Sequence, residues 1–319
     1  MDRFYQNGRK LIQRNIGKLI LEDGCFAQYS IVYHRMILDL VCVVEIFRDI
    51  WSFDKLSNTF YQKIQLAINW YADFIDPVSG NAPNIGPNDG TYLFNYNQVK
   101  YRDFTTTLSL CCLLFNVKPT FRIKQKHVFE NLFDLNPDKT LFDSGCSIDT
   151  SVKSFLKLPR KKGMAILRLP SHKFRPHHAD GLHLDIWQNG INYIRGSGSF
   201  SYADEIEILD QFSGTKGQST IHFDGKNQMP RISRFLFGSW LKQKDTYHDF
   251  SDGIMQSGYI NYKNFTHRRS VRKIDRGWEI FDFAQGAFQL ATLQFILAPV
   301  KWDLKDNLLT SDTVTIKIK

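Results

Sequence analysis

Three stretches of the chain bring proton-transferring and charged side chains close together. The first, EDGCFAQYSIVYHR (Glu22 to Arg35), places Tyr33, His34 and Arg35 in a segment that the spacing of Ile31, Val32, Met36, Ile37 and Leu40 makes helical. Neighbouring residues on a helix point in different directions, so one of Tyr33 and His34 can face a cleft while the other packs. The plain alternative is a buried tyrosine beside a surface histidine. The second, FRPHHADGLHLDIWQNGINYIRGSGSFSY (Phe174 to Tyr202), holds His177, His178 and His183 with Asp180 and Asp185. Histidine suits proton transfer near neutral pH and metal ligation. On a strand, His183 and Asp185 share one face. The spacing fits no zinc motif, and an exposed histidine-rich loop is the plain alternative. The third, PNIGPNDGTYLFNYNQVKYRDF (Pro83 to Phe104), gathers Asn84, Asn88, Asp89 and Arg102 on or beside a long loop. Loops on a rigid scaffold commonly line sites, although Asn and Asp also serve turns by bonding their own backbone.

The elements that must carry these residues change character along the chain. Helical spacing covers Leu11 to Ile20, Gln28 to Arg48, Asp54 to Phe74 and Asp103 to Phe115. The loop NAPNIGPNDGTYL lies between the third and fourth of these segments. After about residue 135 the runs are short and rich in β-branched and aromatic residues. GMAILRL, LHLDIW, INYIRG, STIHF, SGYINY, SVRKI, WEIFDF, ATLQFIL and TVTIKIK are separated by Gly, Asn and Asp at strand-and-turn spacing. Helices first and strands second predict an α+β chain with a large antiparallel β part built of stacked sheets. No GxGxxG or GxxxxGK[ST] motif supports a nucleotide-binding reading, and no internal repeat is present.

Composition narrows the classes further. A chain of 319 residues fits one large or two medium domains. Its 43% hydrophobic content and 26 Phe exclude a disordered chain. The longest apolar stretch, Ile31 to Phe47, is interrupted by His34, Arg35, Asp39 and Glu45, which argues against membrane insertion. MDRFYQNGRKLIQ lacks the apolar core of a secretory signal. The five cysteines, Cys25, Cys42, Cys111, Cys112 and Cys146, are odd in number with two adjacent, so they imply no disulfide framework and read as small buried hydrophobes. A net charge of +9 favours a polyanionic partner. Basic residues cluster in QFSGTKGQSTIHFDGKNQMPR, in HRRSVR, and over 151–179, where Arg160, Arg168, Arg175 and five lysines meet no Asp or Glu. These clusters read as solvated basic faces.

Taken in order, the segments resemble the heparinase II/III-like polysaccharide lyases, in which a helical (α/α) toroid precedes a C-terminal antiparallel β-sheet domain. EDGCFAQYSIVYHRMILDL resembles the family's acidic-Asp-Gly helix with its Tyr-His pair. PNIGPNDGTYL resembles its Asn-Asp-Gly loop, followed here by Tyr101-Arg102-Asp103. HHADGLHLDIWQNGINYIRGSGSFSY resembles its His-Ala-Asp strand and Gly-Ser/Thr-Tyr turn, and FSGTKGQSTIHFDGKNQ its His-Asn-Thr strand. The resemblance covers nearly all of the chain. It implies an α+β fold: a partial (α/α) toroid over 1–130, then a large antiparallel multi-sheet β-sandwich domain over 131–319. The implied chemistry is β-elimination on a uronic-acid-containing acidic polysaccharide. A base takes the C5 proton, an acid protonates the leaving O4, and the uronate carboxylate is neutralised so that C5–H becomes acidic. Tyr33 would be the acid or base, with Arg35, His178 or Arg175 supplying the positive charge a phenol of pKa about 10 needs to act as a base. His177 or His178 would neutralise the carboxylate. Asn88, Asp89, Arg102, Arg175, Arg195 and Gln218 are the expected substrate-binding residues.

Two departures from the family pattern carry expectations of their own. The family's metal positions, where it has a metal, correspond here to His178, Gly196 and Gln218, so no metal and no other cofactor is expected. Pro176 stands where a further histidine would precede His178. A toroid of six helical hairpins needs well over about 200 residues by ordinary helix and loop lengths, so the chain resembles the C-terminal part of a longer family member. The helix bearing the family's Asn/His pair would then lie upstream of Met1, and elimination would be impaired without it. This leaves compartment and oligomeric state open: periplasmic if the full-length protein carries a signal, otherwise cytoplasmic. The competing reading is a non-catalytic protein of glycan binding or surface-polysaccharide assembly. A nucleic-acid partner has only the charge behind it, with no recognition motif, and is not expected.

Overall fold

The structure, a computed structural model, describes residues 2–94, 100–119, 121–123, 127–133, 135 and 153–318. Cys146 and much of the helix-to-strand changeover lie outside the described residues. Helices come first: α1 (Asp2–Leu19), α2 (Ile31–Ile50), α3 (Asn58–Phe74), α4 (Thr105–Phe115) and the short α5 (Val128–Leu132). The starts of α2 and α3 fall later than the apolar spacing alone places them, because serines claim the cap positions. Ser30 Oγ accepts the Tyr33 N–H and Ser57 Oγ accepts the Phe60 N–H, each satisfying a backbone donor that the helix itself cannot. α4 ends where Asn116 turns into the left-handed region at φ 49°, which asparagine tolerates better than most residues.

Antiparallel strands follow. β1 (Phe155–Arg160), β2 (Gly163–Arg168), β3 (Leu184–Gln188) and β4 (Ile191–Arg195) form consecutive neighbours in one sheet. A helix α6 (Ile206–Ser213) interrupts the run before β5 (Ile221–Phe223), β6 (Arg231–Ser233) and β7 (Leu236–Phe237). β8 (Lys242–Asp249), β9 (Ile254–Ile260), β10 (Thr266–Ile274) and β11 (Gly277–Gln285) make a four-stranded antiparallel sheet. The chain closes with β12 (Ala291–Leu293), β13 (Ile296–Leu297), β14 (Asp303–Lys305), β15 (Leu308–Thr310) and β16 (Thr315–Lys317). The result is the α+β, multi-sheet antiparallel architecture expected. ATLQFIL is not one strand: its first part pairs with β5, while Ile296 and Leu297 complete the sheet beside β4. Gln294 makes the break. Its backbone N–H donates to Thr220 O and its side chain donates to Lys216 and Gln218 carbonyls.

Two cores hold the molecule together. Leu156, Ala165, Leu184 and Ile186 of the first sheet pack against Met255, Tyr259 and Val271 of the second, so these sheets face one another. The helical core, around Ile31, Leu38, Ile64, Ile68, Tyr71, Leu108 and Phe115, continues into Phe155, Met164, Ile166 and Trp187 of the β part. Burying each such aliphatic or aromatic side chain contributes about 1.5–3 kcal/mol, and here the burial spans helices and sheet alike. The basic stretch 151–179 is not simply a solvated face. Arg168 is buried over the Tyr29 and Phe155 rings, donates to Ser154 and Leu169 carbonyls, and lies 3.6 Å from Asp180. In HRRSVR, His267 and Arg269 are likewise buried on Asp282.

Candidate active site at the helix–sheet seam

The start of α2 is sewn to the Asn-Asp-Gly loop. Ser30 Oγ, besides capping Tyr33 N–H at 3.1 Å, donates to Pro87 O at 2.6 Å. Gly86 passes so close, at φ +68°, that a Cβ there would lie 2.2 Å from Tyr29 O, a position only glycine fits. The same loop is tied to the β part. Asn88 N–H donates to Ser199 Oγ at 3.2 Å, Asn84 Nδ2 donates to Gly196 O at 3.4 Å, and His178 Nε2 lies 3.3 Å from Ser199 Oγ. Tyr29 Oη accepts Lys173 N–H at 2.8 Å and Asp23 Oδ2 accepts Ser154 N–H at 2.6 Å. These ties bring Tyr33 Oη to 3.0 Å from Tyr202 Oη, across 169 residues of sequence.

Around that contact lies a cavity of about 400 Å³, lined by Tyr33, Asp89, Arg175, His177 and Tyr202, with apolar walls from Phe26, Met36, Pro87 and Phe235. Small-molecule sites have this size and this mixture of apolar walls with a few convergent polar groups. Burial raises the Tyr33 phenol above its ordinary value. The bond to Tyr202 opposes this, while the nearby Asp89 carboxylate reinforces it. Tyr202 is raised much further, by burial first and then by Tyr33. Burial works to raise Asp89, but hydrogen bonds from Thr91 and Tyr33 outweigh it and leave the carboxyl below its usual range. His177 is pushed down to about 4 by burial, then by Arg231 and Arg175. Its ring stacks on Phe235 at 5.2 Å, and neither ring nitrogen has a hydrogen-bond partner.

The structure therefore gathers Tyr33, Asp89, Arg175 and His177 in one cavity and leaves the other expected residues outside its lining. Asn88 sits beside it, its Oδ1 accepting the Tyr101 hydroxyl at 2.6 Å. His178 is buried behind the wall on Ser199, held well below its ordinary pKa by burial and by His177. Arg102 donates to Asn81 Oδ1 at 2.9 Å and to Ala82 O, and burial lowers it to about 10. Arg195 lies at the β4 register position opposite Ile296. Gln218 is buried, its amide donating to Phe212 O at 3.0 Å. Arg35 does not supply charge to Tyr33. It turns into the core, its guanidinium over the Tyr92, Tyr101 and Phe104 rings, donating to Tyr101 O and Thr91 O. The plain alternative for Tyr33 and His34 is inverted: His34 is buried and stacks on Trp70 and Tyr71, while the phenol faces the cavity. Tyr202 and Phe235 were not singled out by the sequence. Tyr202's signal was its place at the end of the Gly-Ser-Gly-Ser turn.

Of the positions resembling a metal site, Gly196 and Gln218 lie together, but the imidazole beside them is His183, while His178 is turned to Ser199 Oγ. A Cβ on Gly196 would lie 3.2 Å from Gln218 Oε1 and 3.3 Å from His183 Cε1. His183 is spent on protein partners: Nδ1 accepts Ser219 N–H at 2.9 Å, so Nε2 carries the proton donated to Asp185 at 2.9 Å. One imidazole, one glycine and one carboxamide do not make a zinc site. Among the described residues no group of three or more His, Cys, Asp or Glu is arranged to hold a metal ion.

Comparison with known proteins agrees with the fold. Residues 162–299 match the family described as heparinase II/III-like, C-terminal. This part of the chain, most of the β part, is thus similar to the C-terminal domain of the heparinase II/III-like family. Among solved structures, one heparinase III superposes with a TM-score of 0.66 at 18% identity, covering 96% of this chain and 45% of its own. A second heparinase III gives 0.62 at 14% identity, covering 97% and 48%. The heparan sulfate lyase HepC from Pedobacter heparinus gives 0.59 at 19% identity, covering 89% and 42%. At these identities the likeness is one of fold, and the chain spans less than half the length of these structures. No curated protein sequence matches the chain.

Proposed function

We propose that the seam cavity carries out β-elimination on a uronic-acid-containing acidic polysaccharide. The observation that carries this reading is the 3.0 Å contact between the Tyr33 and Tyr202 hydroxyls inside a cavity that also holds Arg175 and His177. Elimination needs a proton removed at C5 and one delivered to O4. Both phenols are held protonated, so neither begins as a ready base. A hydrogen-bonded pair meets both needs without an ionised phenol. One hydroxyl accepts the C5 proton as its own proton passes to its partner, and the partner delivers a proton to O4. The C5–H electron pair becomes the C4–C5 double bond, and the C4–O4 bond breaks. General acid–base catalysis of this kind contributes typically about 10²–10⁴-fold.

The carboxylate must be neutralised for C5–H to be acidic enough. Arg175 is the cation lining the cavity and takes that role by a charge-assisted pair. His177, kept neutral, contributes one N–H or one lone pair rather than a charge. Asp89 accepts sugar hydroxyls and helps keep Tyr33 protonated. The apolar walls offer faces for sugar rings to pack on.

Incubation of the chain with a panel of uronate polymers, followed by the ultraviolet absorbance of the 4,5-unsaturated uronate, tests the proposal. Product from at least one polymer is expected. Polymer retained by the protein with no product from any would replace elimination with glycan binding alone.

A further inference from the structure

Away from the cavity, one pair of nucleophilic side chains is unaccounted for. Cys42 of α2 and Cys111 of α4 are fully buried with their Sγ atoms 3.5 Å apart. A sulfur pair in contact needs to close by only about 1.5 Å to reach the disulfide bond length. The pairing is also held in register. One turn earlier on both helices, Thr107 Oγ1 donates to Asp39 Oδ1 at 2.7 Å. The adjacent Cys112 is only half-buried and has no such sulfur neighbour among the described residues.

We propose that Cys42 and Cys111 form a disulfide that clamps α2 to α4 when the chain meets a small-molecule disulfide such as oxidised glutathione. One cysteine thiolate attacks a glutathione sulfur and releases one glutathione thiol. The second thiolate attacks the resulting mixed disulfide at the protein sulfur and releases the other. Two protein thiols and one oxidised glutathione thus become one protein disulfide and two reduced glutathiones. The bridge ties the helix that carries Tyr33 in its first turn to the helix that follows the Asp89 loop. It would also cross-link residues 69 positions apart, which restricts the unfolded chain. Because burial pushes the Cys111 thiol well above its ordinary value, with Cys42 adding to it, exchange should be slow in the folded state and fast when the helices open.

The full chain, reduced, is incubated with a glutathione redox mixture at pH 8.5, with and without mild urea. It is then acid-quenched, alkylated, digested and mapped by mass spectrometry. The expected result is a peptide linking Cys42 to Cys111, with the other three cysteines alkylated, formed faster in urea and reversed by reductant. The bridged protein should melt higher by roughly 5 °C. Cys112→Ala should keep the bridge and Cys42→Ala should lose it. Five alkylated cysteines in both arms, or a bridge joining Cys112 to Cys111 instead, would overturn the proposal.

Discussion

His177 takes its chemistry from where its ring lies. Packed on Phe235 and flanked by Arg175 and Arg231, it stays neutral down to about pH 4. The folded pKa is below the unfolded value of about 6.5, so the folded state binds fewer protons there. That contribution to stability is intact above pH 6.5 and is lost as pH falls towards 4. His34, held at about 3 by burial, adds a loss of the same sign that also begins near pH 6.5 and continues towards 3. A melting series should therefore decline between pH 6.5 and 4, and His177→Gln should flatten part of that decline; an unchanged slope would remove His177 from the account. Arg175 belongs to binding and carboxylate neutralisation. Arg175→Gln should lower kcat/KM by about 10–100-fold, the size of one charge-assisted pair, leaving the melting temperature within about 2 °C. Steady-state kinetics beside a thermal melt separates the two effects. The helix under Tyr33 was legible from its neighbours' spacing, but the choice of Tyr33 over His34 came only from the family resemblance. Tyr202 was not legible, because its partner lies 169 residues away and no local pattern encodes that contact. The role once open to Arg35 was lost for a similar reason: three aromatic rings from outside its own helix capture the guanidinium.

At the scale of elements, Ser30 joins helix and loop. Its hydroxyl caps α2 and donates to Pro87 O. Ser30→Ala should cost about 1–2 kcal/mol by loss of the cap and should lower activity by more than that stability loss explains, since Tyr33 lies three residues on. Denaturant melts and turnover measured on the same preparation check this. Asp39, which α2 turns towards Thr107, titrates with the opposite sign to His177. Burial raises its carboxyl to about 7, so its stability contribution is present below the unfolded value near 3.8 and is lost as pH rises towards 7. Asp39→Asn keeps a hydrogen-bonding side chain without the ionisation. It should be more stable than the native chain at pH 8 and no more stable at pH 3.5, in paired thermal melts. Helical periodicity read α2 to α4 well because their apolar faces are long, but it caught only the second half of α1, whose turns before Leu11 are largely solvent-facing. α6 and β8 escaped. Ile206 to Ser213 is two turns inside a run of strands, and Lys242 to Asp249 is exposed along most of its length, so it shows no alternation.

Across the whole molecule, the helical core runs without a break into Phe155, Met164, Ile166 and Trp187. Helices and sheets should therefore unfold together. Far-ultraviolet circular dichroism and tryptophan fluorescence should give coincident melting curves; two separated transitions would contradict a shared core. Composition pointed to an acidic partner through the +9 charge, but it could not say which basic groups face outward. Arg168 and Arg269 are consumed inside the fold, whereas Arg175 reaches the cavity. The order of motifs conveyed the α+β architecture, and only the folded chain shows that two tyrosines meet at its seam. Elimination by wild type, Tyr33→Phe and Tyr202→Phe, measured as the initial rate of unsaturated-uronate absorbance on one polymer, tests that meeting most directly. The relay predicts that each single substitution lowers the rate by at least about 10²-fold, with polymer binding retained. Full activity in either variant would contradict it.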